Sequence, residues 1–243
     1  MIDSQYFFVR PQDVYADHLV LRDDESQHCV KVLRKAPGDR FYAIDGLGHE
    51  FTVALEHSDK TSAHCRILST ASKPRELGFE ITLVQALIKK DHFDLVVEKV
   101  TELGVHRIIP VKTRRSLPEA GHTKIERWHK IALTAMKQSR RSLMPEITPV
   151  SDLNSVLRRY ADRPVQKIFL HESSEQPLDP NGINFAKACD TIIVVGPEGG
   201  FTDEEAARAA EYGFQSFSLG LRRLRAETAS ICGVGLFSMF AHP

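Results

Sequence analysis

Hydrophobic and polar positions change their rhythm once along this chain, near residue 72. Before it, short alternating runs are separated by turn residues. Phe41-Tyr42-Ala43-Ile44, then Asp45-Gly46-Leu47-Gly48, then Phe51 to Leu55 predict a hairpin with glycines where the turn needs positive φ. A further strand is expected near His64 to Leu68. The polar stretch Ser72-Lys73-Pro74-Arg75 reads as a linker, so a small β-barrel module is expected over 1–72 and a second domain over 73–243. In that second part the apolar runs lengthen and alternate with helical periodicity. Strands are expected at Ile81 to Ala86, Arg107 to Val111, Val165 to Leu170, Thr191 to Val195 and near Phe217. Helices are expected through Phe93, Val96, Val97, Val100 and Leu103, through Ile125, Trp128, Ile131, Ala132 and Ala135, from Thr202, and from about Glu227. Strands alternating with helices define an α/β sheet.

Composition changes this picture little. With 243 residues, 42% hydrophobic and 26% charged, the chain can bury a real core and accommodates two domains. The formal charge is zero, but basic residues come in clumps: Lys112 to Arg115, Lys137 to Arg141, Arg158-Arg159 and Arg222 to Arg225. These are either solvated helix ends and loops or parts of a local positive surface. Cys29, Cys65, Cys189 and Cys232 are too scattered for a zinc spacing, so no metal is expected and the thiols are read as reduced. With neither a leader pattern nor an apolar run approaching the roughly 20 residues of a membrane span, a cytoplasmic protein without membrane association is expected.

Two loops carry the chemistry. Thr191 to Val195 runs into Gly196-Pro197-Glu198-Gly199-Gly200-Phe201 and then a helix, opened by a Thr202–Glu205 capping box. Ligands of open α/β sheets collect at such strand ends. The glycine spacing fits neither a dinucleotide fingerprint nor a phosphate loop, and Glu198 suits a neutral or cationic ligand better than pyrophosphate. The bland alternative is a tight turn without a ligand. Leu219-Gly220-Leu221-Arg222-Arg223-Leu224-Arg225-Ala226-Glu227-Thr228-Ala229-Ser230 forms the second loop, entering a helix apolar on nearly every side. Such a helix is either an internal core element or a dimer interface.

Together these loops resemble the RsmE family, the small-subunit ribosomal RNA uracil-N3 methyltransferases of the knotted SPOUT superfamily. The resemblance extends to His28, Val32-Leu33-Arg34, Gly38-Asp39 and Asp45-Gly46, and to Lys99 to Gly104 with Arg115-Ser116. It also takes in Gln138-Ser139, Arg141 and Pro145, although Lys137 stands where the family usually carries Glu. The resemblance implies a PUA-like N-terminal β-barrel that docks RNA, an α/β domain closed by a trefoil knot, a homodimer, and S-adenosyl-L-methionine as cofactor. Its implied cofactor residues are Leu170, His171, Gly196, Glu198, Gly199, Gly200, Leu219, Gly220, Leu224, Ala226, Thr228 and Ala229. The expected partner is 16S rRNA or the small ribosomal subunit, methylated at N3 of a specific uridine. A cation near the uracil carbonyls would stabilise the anion formed as N3 loses its proton, with Arg225 the first candidate and Arg141 the second. Phosphate contacts are expected from Arg10, Arg34, Arg114, Arg115 and Arg141. Tyr6-Phe7-Phe8 is read as either a base-stacking cluster or barrel core. Three alternatives stay open: a ribose 2′-O methyltransferase of the same superfamily, a non-catalytic RNA-binding module, and an enzyme of nucleotide phosphates.

Overall fold

The computed structural model describes residues 2–116, 122–178 and 189–240, and the chain forms two compact units. The first comprises Met1–Glu76 and Leu133–Met144; the second comprises Leu77–Ala132 and Pro145–Pro243.

In the first unit β1 (Ile2–Phe8), β2 (His18–Arg22), β3 (Arg40–Ile44), β4 (His49–Ser58) and β5 (Ser62–Ser72) form one sheet in the order β1-β3-β4-β5-β2. The β3–β4 hairpin turns as expected: Gly46 and Gly48 take φ of 74° and 104°, and Asp45 Oδ1 accepts the Leu47 and His49 amides. Alternation along these strands turns Phe7, Leu19, Leu21, Phe41, Val53 and Leu55 inward around Cys29 and Cys65. Burial pushes the Cys29 thiol up to about 11 and raises that of Cys65 in the same direction. Phe7 packs on Phe41 at 4.7 Å between ring centroids, so this part of the aromatic cluster is core, while Tyr6 stacks on Tyr42 at 5.0 Å. Between β2 and β3 lies α1 (Asp23–Gln27), which continues as a π-helical turn over His28–Val32.

The compact unit ends at Glu76 rather than at 72, and it recruits Leu133–Met144, which the linker position assigned to the second domain. The reason is a buried cluster. Glu76 accepts two hydrogen bonds from the Arg141 guanidinium, at 2.8 and 3.1 Å, and the backbone amides of Ser142 and Leu143. Both ionic side chains are 5% exposed. Lys137, the residue that departs from the family pattern, pairs with Glu25, whose other oxygen accepts the Phe8 amide. Lys137→Glu is therefore expected to destabilise the fold by roughly 1–2 kcal/mol through like-charge repulsion, and Glu25→Lys in the same chain should restore most of that. A denaturant double-mutant cycle measures this; additive losses would contradict it.

In the second unit β6 (Ile81–Ala86), β7 (Arg107–Lys112), β8 (Glu146–Ile147), β10 (Gln166–Leu170), β11 (Thr191–Val195) and β12 (Gln215–Phe217) make a parallel sheet ordered β12-β10-β11-β6-β7-β8. A two-residue β9 (Ser151–Asp152) also pairs with β7. β6 and β11 are buried at every position, as strands of a covered parallel sheet must be. The helices are α2 (Lys90–Glu102), α3 (His122–Gln138, whose part from Leu133 belongs to the first unit), α4 (Leu153–Tyr160), α5 (Asp203–Glu211) and α6 (Ala226–Phe240). α6 begins at Ala226, within one residue of the expected start, and Glu227 lies in its first turn. α2 buries Phe93, Val96, Val97 and Val100 and packs on α6. α4 was not expected, yet Leu153, Val156, Leu157 and Tyr160 repeat at helical spacing and are all buried. The parallel strands bring the C-terminal ends of β10, β11, β6 and β7 to one edge. No helix among the described residues is long and apolar enough to cross a membrane.

Candidate active site at the sheet edge

Each loop leaving that edge is held by its own local chemistry. After β11 the chain turns at Gly196, where a Cβ would stand only 3.0 Å from the Phe201 ring. Glycine is thus favoured by the close approach of Phe201, which is buried and packs at a tilt 4.2 Å from Phe169. Gly200 has φ of 68°, the second place where the turn needs glycine. The capping box forms as expected: Thr202 Oγ1 accepts the Glu205 amide at 3.2 Å, and Glu205 Oε2 accepts the Thr202 amide at 2.9 Å. α6 is anchored beneath the site. Ser230 donates to the Ala226 carbonyl at 2.9 Å and meets the wholly buried Gln85 at the end of β6.

Between the loops lies a cavity of about 250 Å³ lined by Leu170, His171, Glu172, Val195, Gly196, Pro197, Glu198, Gly200, Phe201, Arg223, Leu224, Arg225, Ala226 and Ala229. A second compartment of about 250 Å³ shares Leu170, His171, Glu172, Arg223, Leu224 and Ala229 with it, and adds the stretch from Phe217 to Arg222. Ten of the residues expected at the cofactor are brought together here. Leu170, His171, Gly196, Glu198, Gly200, Leu224, Ala226 and Ala229 line the first compartment, and Leu219 and Gly220 the second.

The other two, Gly199 and Thr228, stand outside both compartments. Gly199 lines neither compartment: its carbonyl accepts Arg115 Nη1 at 2.9 Å, and the Arg115 side chain covers its Cα. Thr228 is exposed in the first turn of α6 and lines neither compartment. Residues that the sequence reading missed are Glu172, Val195, Pro197, Phe201, Phe217, Ser218, Leu221, Arg222 and Arg223. Val195 and Phe201 were legible as the apolar positions bracketing the glycine turn. Arg223 was not, because its role is set by distant partners. Its Nε lies 2.9 Å from Glu172 Oε2 after β10, and its Nη2 donates to the Glu198 carbonyl at 3.4 Å, so one side chain ties the last loop to the other two.

Of the two catalytic candidates, Arg225 lines the first compartment with its side chain 78% exposed, and Glu227, 8% exposed, stands behind it with Oε1 3.9 Å from Arg225 Nη1. His92 Nδ1 approaches the other Glu227 oxygen at 3.4 Å. Arg141 is corrected. It belongs to the first unit, is 4% exposed, and is committed to Glu76, so it neither lines this cavity nor offers a free cation to phosphate. The other arginines expected to meet RNA are at the surface. Arg10 is half-exposed beside Asp23 at 2.7 Å, and Arg34 is exposed with φ of 52°. Arg114 is exposed, its amide held by Glu205. Arg115 donates to the Gly199 and Phe201 carbonyls, so its guanidinium braces the glycine turn. Among the described residues no cluster of three or more His, Cys, Asp or Glu side chains has metal-holding geometry.

Residues 75–238 match the family model of the RNA methyltransferase domain, and residues 21–68 that of the RNA methyltransferase PUA domain. Fold, loop cavity and both matches define the class: an RNA methyltransferase with a PUA domain. The chain is 31% identical over 223 residues to ribosomal RNA small subunit methyltransferase E of Bacillus subtilis, covering 88% of this chain and 87% of that protein. It superposes on the crystal structure of a ribosomal RNA small subunit methyltransferase E from Neisseria gonorrhoeae bound to S-adenosyl methionine with a TM-score of 0.84. That match has 30% identity and covers 96% and 95% of the two chains. A Legionella pneumophila protein in complex with the same cofactor gives a TM-score of 0.83 at 28% identity, covering 97% of each chain. The chain belongs to the ribosomal RNA small subunit methyltransferase E family.

Proposed function

We propose that this protein transfers a methyl group from S-adenosyl-L-methionine to N3 of one uridine in 16S rRNA, acting in the cytoplasm as a homodimer whose C-terminal end is threaded through a trefoil knot. The observation that carries the reading is the pair of adjoining compartments where three loops meet, with Arg225 at their margin. The residues present fit the cofactor. Leu170, Val195, Phe201, Leu224 and Ala229 offer apolar walls for an adenine, while Glu172 and Glu198 offer carboxylates to a ligand bearing ammonium and sulfonium charge. The glycine turn carries none of the lysine and hydroxyl groups of a phosphate loop, which disfavours a nucleotide-phosphate enzyme. The knot is supported by the chain path. After β11 the chain passes beyond β10 to form β12, then returns as α6 to pack on α2, β6 and β11. The homodimer is supported by Leu221, fully exposed in the last loop, and by Met239, 60% exposed near the end of α6.

The bound cofactor supplies an activated methyl on a good leaving group. The protein must orient a uracil and help its N3 proton to leave. Arg225 is placed to hold the uracil carbonyls and stabilise the negative charge that develops between them. Glu227 positions Arg225 from behind. N3 lies on the pairing edge, so the target uridine must be unpaired or flipped out when it enters. The first unit, which holds the PUA match and carries Arg10 and Arg34 at its surface, is suited to hold the flanking RNA through its phosphates.

Arg225→Ala is expected to slow single-turnover methyl transfer to 16S rRNA by about 100-fold or more, while the affinity for S-adenosylmethionine stays within about twofold. Radiolabelled methyl transfer and calorimetric titration read the two quantities. An unchanged transfer rate would remove Arg225 from the chemistry.

A further inference from the structure

Another cavity lies apart from the proposed cofactor pocket. It measures about 440 Å³ and lies on the other side of the glycine turn, where the end of β7 meets the starts of α4 and α5. Lys112, Thr113 and Arg114 come from β7 and its following turn; Asp152, Leu153, Asn154 and Leu157 from α4 and its cap; Thr202, Glu204, Glu205 and Arg208 from α5 and its cap. Both cavities therefore open from the C-terminal edge of one parallel sheet, and they share a wall, since Phe201 lines the first and Thr202 the second.

The chemistry of this second cavity is that of a nucleotide site. Leu153 and Leu157 form an apolar patch on which a base can lie. Asn154 Oδ1 and Thr113 Oγ1 are buried without a hydrogen-bond partner, whereas buried polar atoms are nearly always paired. A turn of the Asn154 amide would present an acceptor and a donor toward a base edge, recovering the missing bonds. Two of the three carboxylates are already engaged by helix starts: Asp152 caps α4 by accepting the Ser155 amide, and Glu205 caps α5 and accepts the Arg114 amide. Arg114 and Arg208 are exposed at the rim, where a phosphate linked to the base would lie.

We propose that this cavity binds a second, unpaired nucleotide of the same RNA strand, its base against Leu153, Leu157 and Asn154 and its phosphate between Arg114 and Arg208. The inference rests on the reading of the protein as an rRNA methyltransferase. It gives that enzyme a way to recognise a neighbour of the target and so to select one uridine among many. Unpaired bases displayed to protein are the usual source of sequence-specific RNA recognition.

The test is equilibrium binding of in vitro transcribed 16S rRNA to the full chain and to an Asn154→Ala, Arg208→Ala double variant, with S-adenosylmethionine affinity measured on both. The proposal expects about tenfold weaker RNA binding by the variant, with unchanged cofactor affinity as evidence of an intact fold. It also expects at least one of AMP, CMP, GMP and UMP to compete with the RNA on wild type at concentrations where inorganic phosphate does not. A variant that binds RNA as tightly as wild type would overturn the inference, as would phosphate competing equally with the nucleotides. Wild-type protein that binds 16S rRNA neither free nor assembled into small subunits would instead sink the methyltransferase reading on which the inference depends.

Discussion

Gly196→Val is expected to weaken S-adenosylmethionine binding by about 10- to 100-fold, the equivalent of the 1–3 kcal/mol that overpacking a fitted site costs. The valine Cβ would sit 3.0 to 3.3 Å from three carbons of the Phe201 ring. Phe201 cannot simply retreat, because it is 4% exposed and packed against Phe169, so the ring must shift and the wall it forms must shift with it. Because the clash falls on a buried wall of the first compartment, the loss of affinity should appear in calorimetry beside a fall in stability of about 1–3 kcal/mol, which denaturant unfolding reads separately. Wild-type affinity in a folded Gly196→Val protein would mean that the cofactor does not occupy this cavity. Gly199→Val is a weaker probe of the cavity: its Cβ would meet the Arg115 side chain, nearest at Arg115 Cβ 3.3 Å away, and Gly199 lines neither compartment.

Glu76→Ala should destabilise the protein by about 3–5 kcal/mol, since it removes the carboxylate that balances the buried Arg141 charge and leaves the Ser142 and Leu143 amides without their acceptor. Denaturant unfolding measures it. Replacing both ionic partners by methionine should cost markedly less, because no uncompensated charge then remains buried. A Glu76→Ala loss below about 1 kcal/mol would show that the pair is solvated and would return Arg141 to the list of cations open to RNA.

What was legible in the sequence follows from how local each signal is. β6, β7, β10 and β11 were read with ends within a residue or two because covered parallel strands are continuous apolar runs. α2 and α3 were legible from their periodicity. β1 and β2 were not: Tyr6-Phe7-Phe8 drew the eye as an aromatic cluster, and a strand whose partners are 30 or more residues away leaves little local trace. α4 carried a readable pattern, with Leu153, Val156, Leu157 and Tyr160 on one face, but Arg158-Arg159 made the stretch look like a charged surface.

The same division holds for the site. The glycine turn, the capping box and the last loop are contiguous in sequence and were found. The Arg223 brace and the Glu76–Arg141 pair join residues 51 and 65 positions apart, and only the fold brings those side chains together. Arg141 was misread for this reason, since an arginine in a basic clump looks free until its carboxylate is seen.

The most direct test of the account is nucleoside analysis of its product. Unmodified 16S rRNA, both free and assembled into small subunits, is incubated with the protein and S-adenosylmethionine, digested, and resolved by liquid chromatography with mass spectrometry. The account predicts 3-methyluridine as the only new methylated nucleoside, near one per RNA molecule with at least one of the two substrates. A ribose-methylated nucleoside, a methyl on another base, or no methylation of either substrate by protein that binds the cofactor would contradict it.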